Sequence, residues 1–299
     1  MRIGIYNLEP RLKNLALEKI RIYHQRQGDV VLSCSPLETN QFDRIYASSI
    51  FDWTDKRYIT QDMIVGGTGF DLTTVLPPEI EAMEPHKNYG YTTRGCFRNC
   101  PFCVVRQKEG DLRPVGNILM LWDGRAKDIM LLDNNPLGLP EHFGMNCKLS
   151  QQYHIRLDWN QGLDHRCLTP EIIDIIKATP HKELRFAFDH PSYISSVEKA
   201  IDLLQSKGIK RCSWYVLVGF DTTFEQDLFR LNYLRARNQN AFVQRYRSRD
   251  KKLGREYIAL ARWANQHHIF QAMTWEEFLN HPSNKTYSYL WDCRYWRRK

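Results

Sequence analysis

The sequence predicts an α/β protein: a partial (β/α)6 TIM-like barrel preceded by a small, truncated Rossmann-like α/β unit. Three observations predict it. From Lys87 onward, runs rich in β-branched and aromatic residues alternate six times with amphipathic stretches, the pattern of parallel strands joined by helices. Helix-start signals fall between those runs, as at Thr169-Pro170-Glu171, where an N-cap, a first-position proline and a first-turn acid follow one another. Residues 2–50 spell a separate strand–helix–strand unit, which in parallel pairing requires a right-handed crossover.

In order along the chain, Arg2 to Tyr6 reads as a strand. A helix is expected from about Pro10, with Leu12, Leu15, Ala16, Lys19, Ile20 and Tyr23 as its stripe and Gly28 as its stop. Asp29 to Ser33 and Arg44 to Ile50 are the next strands. The unit ends near Ile64-Val65-Gly66-Gly67-Thr68-Gly69, a weak phosphate signal that is usually a turn. Residues 1–70 therefore form the small unit, and 71–86, with Pro77, Pro78 and Pro85, a connector. Residues 87–250 form the barrel and 251–299 a basic, aromatic-rich helical extension. The barrel strands are expected at 88–93, 128–133, 154–159, 183–188, 212–218 and 241–245. Ser195-x-x-Glu198 and Thr222-x-x-Glu225 read as capping boxes, and Gly208 closes the helix begun near Ser195. Chemistry in such barrels sits at the C-terminal strand ends.

The 299 residues carry 42% hydrophobic and 25% charged side chains, ordinary for a globular protein. No apolar stretch reaches the length of a membrane span. The N-terminus runs straight into a strand pattern without a signal peptide, so a cytoplasmic protein with no membrane partner is expected. Of the net charge of +8, a surplus of seven lies between Asn240 and Lys299, where twelve Lys/Arg face five Asp/Glu. Cations interleaved with aromatics suit nucleic acid. The alternative is a solvated basic face with its aromatics in the core, since many recur at helical spacing.

The chemistry concentrates in Cys96-Phe97-Arg98-Asn99-Cys100-Pro101-Phe102-Cys103. Three thiolates in one tight loop can hold three irons of a [4Fe–4S] cube and leave the fourth iron open to a small chelating molecule. Zinc would need a fourth ligand at close spacing, and the nearest candidates, His86 and Cys147, do not complete such a set. A chance grouping of core cysteines is the third reading. Cys34, Cys147, Cys167, Cys212 and Cys293 form no second cluster spacing. Cys147, in an expected loop, is a minor candidate for chemistry.

This C-x-x-x-C-x-x-C run, with Phe102 before its last cysteine, resembles the signature of the radical S-adenosylmethionine (SAM) superfamily. The organisation is closest to branches with a cobalamin-binding-like N-terminal domain and to tRNA methylthiotransferase-like barrels. The resemblance implies a [4Fe–4S] cluster on Cys96, Cys100 and Cys103 whose open iron binds the methionine part of SAM. Reductive cleavage would give a 5′-deoxyadenosyl radical that abstracts hydrogen from a substrate. Phe102 matches the position whose backbone lies against the adenine. Asp133, Asn134 and Asn135 stand where the family has a Gly-Gly-Glu-like segment for the SAM amino group, and their oxygens can accept from an ammonium. Gly219 falls where a strand end lies against the adenine. Asn160 and Gln161, in the polar run from Asp158 to Arg166, are candidates for ribose or substrate, or for a self-satisfied turn. Arg94 and Arg98 flank the cluster loop. A flavodoxin or ferredoxin is the implied electron donor. The chain lacks the Asp-x-His-x-x-Gly motif, so cobalamin is not expected, and no second cysteine triplet is present for methylthiolation. The substrate expected is a nucleic-acid base or nucleotide, with a peptide or small metabolite as the alternative. A non-catalytic iron–sulfur sensor or nucleic-acid-binding protein is the rival from another class.

Overall fold

Residues 1–248 and 252–284 are described in a computed structural model; Cys293 and the terminal basic run Arg294 to Lys299 lie outside the described residues. The first unit comprises β1 (Arg2–Asn7), α1 (Leu15–Arg26), β2 (Val30–Ser33), β3 (Arg44–Ser48) and β4 (Ile64–Gly66). Its sheet is all parallel in the order β2-β1-β3-β4. Helix α1 starts five residues later than Pro10 because Asn14 is the cap, its side chain accepting from the Leu17 N–H at 3.2 Å. The stretch read as a Gly-rich turn contributes β4. On one face Leu17 and Ile20 of α1 pack on Ile3, Ile5, Val31 and Tyr46. Cys34, Ile45, Ala47 and Met63 form a small second core.

The expected connector contains α2 (Pro78–Glu81), which ties the two parts of the chain together. Glu81 receives Lys19 of α1 at 2.9 Å and Arg94, beside the cysteine loop, at 2.8 Å. Lys108 donates to the Thr74 carbonyl at 2.6 Å.

The larger part runs β5 (Tyr89–Gly90), β6 (Thr93–Arg94), α3 (Val105–Glu109), β7 (Arg113–Pro114), α4 (Ile118–Leu121), β8 (Asp128–Leu131), α5 (Pro140–Tyr153), β9 (Arg156–Trp159), α6 (Pro170–Ala178) and β10 (Arg185–Ala187). It continues through α7 (Ile194–Ser206), β11 (Ser213–Val218), α8 (Phe224–Ala236), β12 (Asn240–Arg245), α9 (Arg255–Ala264), α10 (His267–Ala272) and α11 (Trp275–Asn280). Strands β5-β8-β9 and β10-β11-β12 form two parallel sheets, and an isolated parallel bridge pairs Leu157 of β9 with His181, four residues ahead of β10. Six parallel strands thus follow one another in sequence order, and a large core extends from Ile118 to Leu279.

The strand expected at 88–93 is split. Asp133 takes the Thr92 and Thr93 N–H groups at 2.6 and 2.9 Å, so the chain leaves the ladder after β5. It then pairs antiparallel as β6 with β7. Thr169 caps α6 as expected, accepting from the Ile172 N–H at 3.3 Å. The other boxes shift. Thr223 with Gln226 forms the capping box of α8, and α7 begins at Ile194 without a side-chain cap, so Ser195 and Glu198 lie inside it. Cys147 is in no loop: it is fully buried on α5, where its thiol is pushed up to about 11 by burial. In the C-terminal region Trp263, Phe270, Trp275 and Phe278 are buried. The Asn265 side chain brackets Val243 of β12 through its N–H (2.6 Å) and carbonyl (3.2 Å). These aromatics are core, which accounts for their helical spacing without a ligand.

Candidate metal-cluster and cofactor site

The cysteine loop leaves β6 at the C-terminal side of β5. Gly95 opens it with φ +84°, and a Cβ there would stand 2.3 Å from the Asp111 carbonyl oxygen, so only glycine fits. The Cys96 N–H reaches the Gly110 carbonyl at 3.2 Å, and the Cys103 N–H reaches that of Cys100 at 3.0 Å. Arg106 donates to the Cys96 carbonyl at 3.1 Å. Cys96 and Cys100 are half-buried and Cys103 is exposed. Burial pushes the Cys100 thiol up, while Arg166 opposes that shift. Among the described residues no three His, Cys, Asp or Glu side chains converge on a single-ion site. A cube asks for a different geometry, since each cysteine binds its own iron. An open cleft of about 560 Å³ is lined by Asn99, Cys100, Pro101, Cys103, Arg106 and Gln107.

One buried carboxylate holds the loop against the sheet. Asp164, after β9, accepts from Arg98 Nε at 2.9 Å, from Arg166 Nε at 2.7 Å and from Asn135 Nδ2 at 3.2 Å. Its burial alone would raise the carboxyl, but the two guanidiniums outweigh it and hold it at about 2. The Cys96 sulfur lies within reach of two N–H donors: the Arg98 backbone at 3.3 Å and Asn135 Nδ2 at 3.5 Å. Asn135 Oδ1 is buried and has no hydrogen-bond partner among the described residues. A buried amide oxygen left unpaired is costly, so it is the first place to look for a ligand's donor.

The other expected residues divide. Asp133 is buried, and both its oxygens are engaged by Thr92 and Thr93, the Thr92 hydroxyl at 2.6 Å included. Asn134 Oδ1 accepts from the Gly95 N–H at 3.2 Å. These two side chains therefore shape the loop, and Asn135 alone of the three keeps an open acceptor. Asn160 sits at the end of β9, its carbonyl accepting from the Tyr215 hydroxyl at 2.7 Å, and Gln161 is exposed beside it. The Phe102 ring meets Phe220 edge-on at 5.8 Å, and Phe220 meets Tyr246 at 4.8 Å, so a row of rings links the cysteine loop to the end of β12. At Gly219 (φ +75°) a Cβ would come within 2.5 Å of the Leu253 side chain, so a side chain of this protein already fills the approach that glycine permits. Arg94 pairs with Glu81 and Glu109, and Arg98, within the cysteine loop, pairs with Asp164.

Two further residues belong to this site. Thr92 anchors Asp133, with no motif to mark it. Asp189, ending β10, accepts from the Leu217 N–H at 3.1 Å; burial pushes it up to about 6 against the pull of Arg230 and Arg166. Its sequence signal was only its place at a strand end. Asp133 is likewise pushed up to about 6 by burial, against the bonds from Thr92 and Thr93. Because its folded value lies above the free value of 3.8, the folded state holds the extra proton between about pH 4 and pH 6. Stability from this group is complete below pH 4 and is lost as pH rises to 6, by about 3 kcal/mol. Asp133→Asn, which keeps an acceptor for the two N–H groups, is expected to remove that falling limb. Urea midpoints of the two proteins measured from pH 4 to 7 check it; parallel curves would refute the assignment.

A parallel strand–helix unit thus precedes two further three-stranded parallel sheets, and the cysteine triplet follows the first strand of these. The chain is similar in fold to a solved structure, the radical S-adenosylmethionine methyltransferase TsrM from Kitasatospora setae, determined with cobalamin and a [4Fe-4S] cluster bound. It superposes with a TM-score of 0.58 at 11% identity, over 82% of this chain and 72% of that one. No family model and no curated protein matches the sequence.

Proposed function

We propose that this chain is a radical SAM enzyme. Cys96, Cys100 and Cys103 would hold the [4Fe–4S] cluster, and Asn135 Oδ1 would accept from the SAM amino group. When bound, the cluster and SAM supply reductive carbon–sulfur cleavage and a 5′-deoxyadenosyl radical. The chain's own residues do the positioning. Asp164 and Arg98 fix the loop, Asn135 and the Arg98 N–H face the Cys96 sulfur, and Phe102 with Phe220 and Tyr246 walls the site toward β12. The single observation that carries the reading is the buried Asn135 oxygen, without a partner among the described residues, on a side chain whose amide nitrogen lies 3.5 Å from the Cys96 sulfur; it offers an acceptor for a ligand's ammonium next to the cysteine loop. The six parallel strands in sequence order support an open (β/α)6 barrel over 87–250, with 1–70 as a truncated Rossmann-like unit, 71–86 as connector and 251–299 as helical extension. A flavodoxin or ferredoxin donor and a cytoplasmic setting complete the proposal. Among the described residues no helix is long and apolar enough to cross a membrane.

Cobalamin is not part of the reading. A ligand of this sheet would enter at the switch point between β1 and β3. There the Glu9 carboxylate already accepts from Ser49 Oγ at 2.9 Å, the Ile50 N–H at 3.0 Å and Thr54 Oγ1 at 2.5 Å. Gly67 and Gly69 pack so closely that a Cβ would stand 2.4 Å from the Ser49 and Phe51 carbonyl oxygens. No histidine occurs between Ile50 and Phe70.

The test is anaerobic reconstitution with iron and sulfide, reduction with dithionite and addition of SAM. Formation of 5′-deoxyadenosine and methionine is expected. A reconstituted cluster that yields neither would favour the sensor reading.

A further inference from the structure

The C-terminal end of β12 carries a cationic and aromatic cluster that the chemistry above does not use. Arg245 ends β12, and Arg247 follows two residues later on a segment whose Tyr246 N–H extends the ladder to the Val218 carbonyl at 3.0 Å. Alternate positions of an extended chain point the same way. Burial, and then the neighbouring Arg247 charge, lower the pKa of Arg245. Among the described residues, neither arginine has a carboxylate within 4.0 Å, whereas most other arginines near the strand ends do, as Arg98, Arg166 and Arg185 show. Two cations held together without an anion repel one another, so the arrangement is stabilised by a bound anion.

Its surroundings say which kind of anion. The Arg247 guanidinium lies 6.0 Å from the centre of the Trp53 ring, which belongs to the first unit and is 43% exposed. Phe51 stacks parallel on Trp53, at 4.6 Å and 13°. This aromatic pair is held rigid by Glu9, which binds the Ile50 N–H on one side and Thr54 on the other. On the inner side, Tyr246 continues through Phe220 to Phe102 of the cysteine loop. Guanidinium forks match phosphate oxygens, and exposed rings take a flat heterocycle.

We propose that Arg245 and Arg247, with the Phe51–Trp53 pair, form a substrate site for a nucleotide, its phosphate on the two arginines and its base against the aromatic surface. The proposal rests on the radical SAM reading and names the substrate class of that site. The first unit then has a role of its own: with its switch point filled, it lends an aromatic rim to the end of β12.

Binding is measured on the anaerobically reconstituted protein by calorimetry, with uridine 5′-monophosphate, uridine and an oligouridylate as probes; a pyrimidine keeps the probe out of an adenosyl pocket. The monophosphate is expected to bind at least about tenfold more tightly than uridine, a preference that shrinks as salt rises. Arg245→Gln/Arg247→Gln should erase the preference while leaving the thermal midpoint near that of the parent. Trp53→Ala should weaken monophosphate and uridine by the same factor. Tighter binding of the oligouridylate with a steeper salt slope assigns the nucleotide to a nucleic acid; equal binding assigns it to a free nucleotide; both support the site. Equal affinity for uridine and its monophosphate, or full monophosphate binding by the double variant, overturns it. The two readings fail separately: 5′-deoxyadenosine formed without nucleotide binding sinks only the site, and nucleotide binding without 5′-deoxyadenosine sinks only the enzyme.

Discussion

Changing any one of Cys96, Cys100 or Cys103 to alanine is expected to abolish stable cluster incorporation and to bring 5′-deoxyadenosine formation down to that of a protein-free control. Each thiolate in such a loop serves a different iron, so the loss of one leaves an iron without its ligand, and no neighbour can replace it. Among the described residues, Cys167 contacts the Arg98 guanidinium, which stands 3.9 Å from its sulfur. Cys147 and Cys212 are buried on the far side of the strand ends and titrate only at about 11 and about 12, as expected of thiols packed in a core. Cys167→Ala and Cys212→Ala therefore should keep their iron. Iron and acid-labile sulfide content, together with the paramagnetic signal of the reduced protein, separate the two groups of variants. Retention of a full cluster by a Cys100→Ala protein would remove the basis of the enzyme assignment, and so would loss of the cluster from Cys212→Ala without loss of fold.

What the sequence disclosed about this molecule was local in origin. The cysteine spacing, the Thr169-Pro170 helix start and the alternation of strand and helix are each read from neighbouring residues, and the helix start and the alternation reappear in the structure. Contacts spanning the chain were not legible. Asp133 resembles a ligand because it ends a strand, and only its meeting with Thr92 and Thr93, some forty residues earlier, shows that one oxygen is spent on two backbone N–H groups and the other on the Thr92 hydroxyl. Arg98 and Asp164 are separated by 66 residues, so neither residue type predicts the other. Glu9 carries no mark in the sequence, and its partners Ser49 and Ile50 lie about forty residues on. Cys147 was placed in a loop because α5 has few aliphatic residues to reveal its period, although Phe143, Asn146, Cys147 and Ser150 form its buried face. Nothing in the composition of the strand expected at 88–93 marks the point at which the Asp133 carboxylate diverts the chain.

The same blindness hides the most consequential pair in the fold. Asp227 and Arg230, three apart on α8, resemble an exposed helix pair worth a few tenths of a kcal/mol. In the folded protein both side chains are 0% exposed and in direct contact. Arg230 also donates to the carbonyls of Phe188 at 2.5 Å and Leu217 at 2.7 Å, while Asp227 accepts from the Gly219 N–H at 3.0 Å and the Thr222 hydroxyl at 2.5 Å. The pair thus binds the last turns of β10 and β11 just below Asp189 and Gly219, which is why a charge belongs in this core. Removing one partner leaves the other charge buried without compensation, so Asp227→Ala and Arg230→Ala are each expected to cost about 3–5 kcal/mol. Replacing both with apolar residues of similar size, Asp227→Leu with Arg230→Met, removes the stranded charge and should recover part of that loss. It cannot recover all of it, because the Phe188 and Leu217 carbonyls would still lack their donor. Combining Asp227→Ala with Arg230→Ala closes a double-mutant cycle with the two single variants and the parent, and urea unfolding of those four proteins is expected to give a coupling energy well above that of a surface pair. A loss below about 1 kcal/mol in either single variant would mean that water reaches the pair and that the strand ends are held by other contacts.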